Sequence, residues 1–149
     1  MQEPLLIGWR EWVSLPQLGL TAIKAKIDTG ARSSSLHVTA LEDFERDGST
    51  WLRFTVTPRR RSARMVQCEA PVLDRRAVTD SSGNSAARWF IRSTIVLGGA
   101  RFEADINLSD RAGMLFPMLI GRTALQDRYR VDPARSWLCG RRRRLESAS

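Results

Sequence analysis

At 149 residues and 42% apolar, the chain has the length of one ordinary domain. It can bury a core without disulfide or metal staples, which argues against wholesale disorder. A formal charge of +8, carried almost wholly by arginine, favours anionic partners, and the apolar runs are far too short to cross a bilayer, so no membrane partner is expected. The first ten residues lack a basic region and a long apolar run, so no secretory signal is expected and the cytoplasm is the expected location.

The pattern is mostly β. Trp9 to Leu15 predicts a first strand, and Pro16-Gln17-Leu18-Gly19 a turn into a second, Thr21 to Ile27. On that strand Ile23, Ala25 and Ile27 face one side and Lys24 and Lys26 the other. Ser35 to Leu41 predicts the next strand, and Asp47-Gly48 is a hairpin signal before Trp51 to Thr57. Met65 to Glu69 and Pro71 to Thr79 follow the basic stretch Arg59 to Arg64. The turn Asp80 to Asn84 then leads to a hairpin of Ala87 to Leu97 and Arg101 to Leu108 around Gly98-Gly99. Phe102, Ala104, Ile106 and Leu108 alternate there with Glu103, Asp105 and Asn107. Pro117 to Ile120 predicts a short apolar strand ending at Gly121, and Arg122 to Asp127 the one helix. Short strands with regular turns and no dividing linker predict a single all-β domain over residues 1–138, built as a closed or partly open β-barrel. Residues 139–149, with Arg141 to Arg144, predict a basic and flexible tail.

Chemistry concentrates at Asp28-Thr29-Gly30-Ala31, where a strand delivers a carboxylate onto a tight turn. Gly30 permits the turn, and the Thr29 hydroxyl suits a local hydrogen bond. By itself the tripeptide is, in most chains that carry it, only a β-turn. Zinc catalysis usually draws on closely spaced His, Cys and carboxylate ligands, whereas this chain has one histidine, His37, and two distant cysteines, Cys68 and Cys139. There is no Gly-x-x-x-x-Gly-Lys-Ser/Thr phosphate loop. Neither metal nor cofactor is expected. The cysteines read as reduced, inert thiols, although the arginines beside Cys139 are of the kind that lower a thiol pKa. The arginine runs suit a solvated flank, a nucleic-acid or ribosome contact, or guidance of an acidic peptide. The five tryptophans lie singly on strand-like segments, so nucleic acid is not expected as the main partner.

Asp28-Thr29-Gly30-Ala31 with the late Leu119-Ile120-Gly121-Arg122 resembles the retropepsin-like aspartic proteases. Ile27 to His37, Ser81-Ser82-Gly83, Ser109-Asp110-Arg111, Met114 to Arg122 and Val131-Asp132-Pro133 resemble one bacterial branch, the proteins associated with RimK-type glutamate ligases. These are often labelled ATP-dependent zinc proteases. The resemblance implies an acid-protease fold with one short helix, and an aspartic endopeptidase active as a homodimer in which two copies of Asp28 activate a water. It assigns loop support to Thr29, Gly30 and Ala31, and accessory positions to His37, Asp110, Arg111, Gly121 and Arg122. An intrachain second carboxylate, such as Asp105 or Asp110, is the alternative to a partner's. The flap falls either at Asp80 to Ser85 or around Arg59 to Arg64. The implied substrate is a peptide or protein, possibly glutamate-rich or glutamylated. The rival reading is a non-catalytic module that holds an acidic peptide or a ribosomal partner in the same groove.

Overall fold

The computed structural model describes residues 3–59, 64–80, 82–110 and 114–140. Twelve strands and one short helix follow in order: β1 (Leu5–Gly8), β2 (Arg10–Leu15), β3 (Leu20–Asp28), β4 (Ser34–His37), β5 (Thr39–Arg46), β6 (Ser49–Val56), β7 (Val66–Pro71), β8 (Asp74–Thr79), β9 (Ser85–Leu97), β10 (Ala100–Ser109), β11 (Met118–Gly121), α1 (Arg122–Leu125) and β12 (Tyr129–Asp132). Strands β10, β4, β11, β3, β2 and β9 pair in that order, and β9 pairs back onto β10, which closes a six-stranded ring. The expected all-β barrel is therefore present. β8 hangs on the outer edge of β9.

Alternation builds the ring. Ile23, Ala25 and Ile27 turn inward from β3 and meet Leu36, Ile91, Ile95, Ile106, Leu108, Met118 and Ile120, all buried. The same core continues into the antiparallel β5–β6–β7 sheet through Leu52, Phe54, Val56, Cys68 and Ala70. Turn chemistry fixes the hairpins: Asp47 and Gly48 both take positive φ, 52° and 79°, the geometry that matches strand twist in a two-residue loop.

Three local expectations need revision. The strand expected over Ser35 to Leu41 breaks at Val38, whose N–H donates to Ser109 O while Ala40 takes φ 52°, so β4 stays in the ring and β5 leaves it. No glycine marks that bend. Pro71 to Thr79 likewise divides, because Val72 and Leu73 donate to different strands, at Thr50 O and Phe90 O. The helix stops at Leu125, with Asp127 at φ 66° soon after.

β1 and β12, which the pattern did not reveal, pair in parallel as a separate two-stranded sheet. Beyond β12, Asp132 turns the chain back by accepting from Ala134 N and Arg135 N. The returning segment is laced to β2. Arg135 O accepts from Trp9 N, Arg10 O accepts from Trp137 N, and the buried carboxylate of Glu11 accepts from Gly8, Leu138 and Cys139 N–H at 2.7–3.0 Å. A carboxylate surrounded by backbone donors is satisfied without a countercharge. Cys139, expected in the tail, is thereby fastened to the domain.

Candidate active site

Asp28 ends β3, half-buried, at the mouth of a loop closed by its own atoms. Gly30 N–H donates to Asp28 Oδ1 at 3.1 Å, and Ala31 N–H donates to Asp28 O at 3.2 Å. Thr29 contributes differently from expectation: its residue is exposed and its hydroxyl has no partner among the described residues. Nor does Gly30 take a left-handed conformation. A Cβ there would meet only Asp28 Oδ1, at an ordinary 3.4 Å.

Gly121 is the glycine the loop demands. β11 lies between β3 and β4, parallel to the first with Gly121 beside Asp28, antiparallel to the second with Leu119 beside Ser35. A Cβ on Gly121 would fall 2.4 Å from Ser33 O and 3.0 Å from Ala31 O, so only glycine lets β11 pass this close. Its N–H donates to Ser34 Oγ at 3.1 Å. The opening turn of α1 then grips the loop. Arg122 N donates to Ala31 O at 2.7 Å, Thr123 donates to Arg32 O through both its N–H and its hydroxyl, and Arg122 Nη1 reaches Gly30 O at 3.3 Å. Arg122 thus holds the loop by hydrogen bonds.

A support missed by the alternation pattern is Asn107. Expected on the polar face of β10, it is buried, donates to Ser33 Oγ and Ser34 O, and accepts from Ser35 Oγ. The signal was present in the serine run Ser33-Ser34-Ser35, whose hydroxyls beside a core strand need buried partners.

The other accessory candidates lie elsewhere. His37 closes β4 level with Pro117, four residues down the sheet from Gly121 and therefore about 13 Å from the level of Asp28. Asp110 follows Ser109, which pairs with His37, so it belongs to that same distant end. Arg111 lies outside the described residues. Asp105 is held by Arg76 at 3.1 Å and Arg92 at 3.6 Å. The register sets it level with Asp28 but three strands away, roughly 14 Å around the ring. Neither Asp105 nor Asp110 stands beside Asp28 in the strand register.

Neither cysteine has the character of a nucleophile. Burial pushes the Cys68 thiol up to about 11, and its Sγ donates to Leu18 O. Burial, then the charge of Glu11, push Cys139 up to about 12, against the lowering its arginine neighbours suggested. His37, Cys68 and Cys139 occupy separate places, and no three metal-ligating side chains assemble among the described residues. No helix among them is long and apolar enough to cross a membrane.

A ring carrying Asp-Thr-Gly on a loop pinned by a late glycine strand is the arrangement of the retropepsin-like class. The model of the RimB-like family, described as retropepsin-like aspartic endopeptidase RimB, matches residues 6–142, and the chain belongs to that family. It is 45% identical over 130 residues to a probable alpha-L-glutamate ligase of Desulfotalea psychrophila, and 40% over 142 residues to one of Shewanella pealeana. These alignments cover 87% and 95% of this chain but only 28% and 31% of the relatives, so the chain spans about three tenths of their length. The crystal structure of a Legionella pneumophila protein of unknown function superimposes with a TM-score of 0.74 at 29% identity, covering 91% of this chain and 98% of that one.

Proposed function

We propose that the protein is an aspartic endopeptidase whose active unit is a homodimer, with Asp28 of two copies sharing one proton. The observation that carries this reading is a carboxylate held at the rim of a hydrogen-bonded loop, with neither Asp105 nor Asp110, the candidates for a partner within the chain, beside it in the strand register. Two like charges a few ångströms apart do not both ionise cheaply, so the pair keeps one proton. The ionised member takes a proton from water as its oxygen attacks the peptide carbonyl carbon. The protonated member donates to the carbonyl oxygen. Return of a proton to the amide nitrogen then breaks the C–N bond. Gly30 supports the dimer in another way: its own chain leaves the space above it open, so a second backbone or a substrate can come close.

For the flap we favour the β8–β9 hairpin. Residues 85–89 of β9 pair only with β8, most of the hairpin is exposed, and its tip is tied by Asp80 Oδ1 accepting from Ser82 and Asn84 N–H. In the rival segment, residues 60–63 lie outside the described residues. The substrate we propose is glutamate-rich, on two grounds: relatives named as glutamate ligases and the +8 charge of this chain. Those ligase names also favour a second reading, a module that holds an acidic peptide without cutting it.

A digest of glutamate-rich and neutral peptides by wild type and Asp28→Asn separates the readings. A peptidase cuts the acidic set faster, less so in high salt, and loses at least about a thousandfold on substitution. Binding of acidic peptides by both proteins, with cleavage by neither, would establish the module instead.

A further inference from the structure

Trp9 and Trp12, at the start of the chain, and Trp137, near its end, meet on the outer face of β2 and β3. Trp12 and Trp137 stack with centroids 5.4 Å apart, and Trp9 sets its ring edgewise to Phe116 at 6.0 Å. Cations interleave with these rings. The Arg10 guanidinium lies 4.7 Å from Trp9 and 5.0 Å from Trp137, while Lys24 Nζ lies 5.3 Å from Phe116 and 5.7 Å from Trp137. All six residues are partly exposed, and Lys26 is more exposed still.

Among the described residues this face is not neutralised. Arg10 donates to Ser136 Oγ, and no described carboxylate forms an ion pair with Arg10, Lys24 or Lys26. Arg10 and Lys26 stand directly opposite each other on adjacent strands, an arrangement that destabilises a sheet unless an anion bridges it. Other strand arginines are paired: on β5–β7, Arg53 sits between Glu42 and Glu69, and on β8 Arg76 pairs with Asp74 and Asp105. The chain also holds Trp137 at φ 60°, a conformation that bulky residues rarely adopt and that concentrates at functional positions.

We propose that this face binds single-stranded nucleic acid, its phosphates over Arg10, Lys24 and Lys26 and its bases stacked on the rings between them. Alternating anions and planar groups match alternating cations and aromatics, and stacking on aromatic rings tolerates any base. An acidic peptide supplies the charge and leaves the rings without a role.

The test is fluorescence anisotropy of labelled twelve-nucleotide oligo(U) and oligo(dT) with the full chain, titrated at several salt concentrations. Both should bind, or one in preference, which tells RNA from DNA. Lys24→Glu/Lys26→Glu should weaken binding roughly tenfold or more and flatten the salt dependence, and Trp12→Ala should weaken it with the salt slope unchanged. Lys26→Glu alone, at an exposed site, serves if the double variant unfolds. A variant with Arg141 to Arg144 changed to Gln should keep most of the affinity. The proposal fails if neither oligonucleotide binds, if the face variants bind as wild type does, or if oligoglutamate of equal charge displaces the oligonucleotide equally well.

Discussion

Gly30 and Gly121 flank the candidate carboxylate and carry opposite demands. At Gly121 a methyl group meets backbone oxygens of Ser33 and Ala31, so Gly121→Ala should cost about 1–3 kcal/mol, read as a lower urea midpoint. At Gly30 a methyl group has room within the chain, so Gly30→Ala should leave the midpoint within about 0.5 kcal/mol while turnover is lost to whatever backbone approaches there. Unchanged turnover in Gly30→Ala would mean that nothing comes close. The buried thiols give a pH signature. Their folded values, about 11 for Cys68 and about 12 for Cys139, stand above the ordinary value of 9. Below pH 9 both states keep their protons and the stability is fully present. As pH climbs from 9 toward 12 the unfolded chain ionises first, so stability falls. Urea midpoints at pH 8 and pH 10.5 check the sign, and Cys68→Ala/Cys139→Ala should flatten the difference.

Elements with a clean two-residue period were legible in the sequence: β3, β6 and the β9–β10 hairpin lie within two residues of expectation because each buries one face. Others depend on partners distant in the chain. β1 and β12 are four residues each and stabilise only as a parallel pair, and the bend at Val38 to Ala40 carries no turn residue. The site divides likewise. Asp28 and Gly121 were visible as motif residues, whereas Asn107 wore a surface pattern and gained its burial from β4. Glu11 escaped notice for the same reason, since its partners lie in residues 138 and 139. Glu11→Ala should leave three N–H groups without an acceptor. We expect a loss of about 3 kcal/mol and fast amide exchange at Leu138 and Cys139, with β6 unaffected. Slow exchange at both residues would remove Glu11 as the tether.

At the scale of the whole molecule, a basic barrel presents a carboxylate loop, a protruding hairpin and a cation–aromatic face across β2 and β3. In the curated relatives the matched region is about three tenths of a longer chain named as a probable alpha-L-glutamate ligase. The central claim is that the site is completed by a second Asp28. Mixing wild type with Asp28→Asn at constant total protein, after subunit exchange, tests it. Heterodimers then carry one carboxylate and are inactive. An equal mixture should retain about a quarter of the wild-type rate on a cleaved peptide, following the square of the wild-type fraction. A rate that falls in direct proportion to the wild-type fraction, leaving half, would contradict a shared site and return the second carboxylate to the same chain.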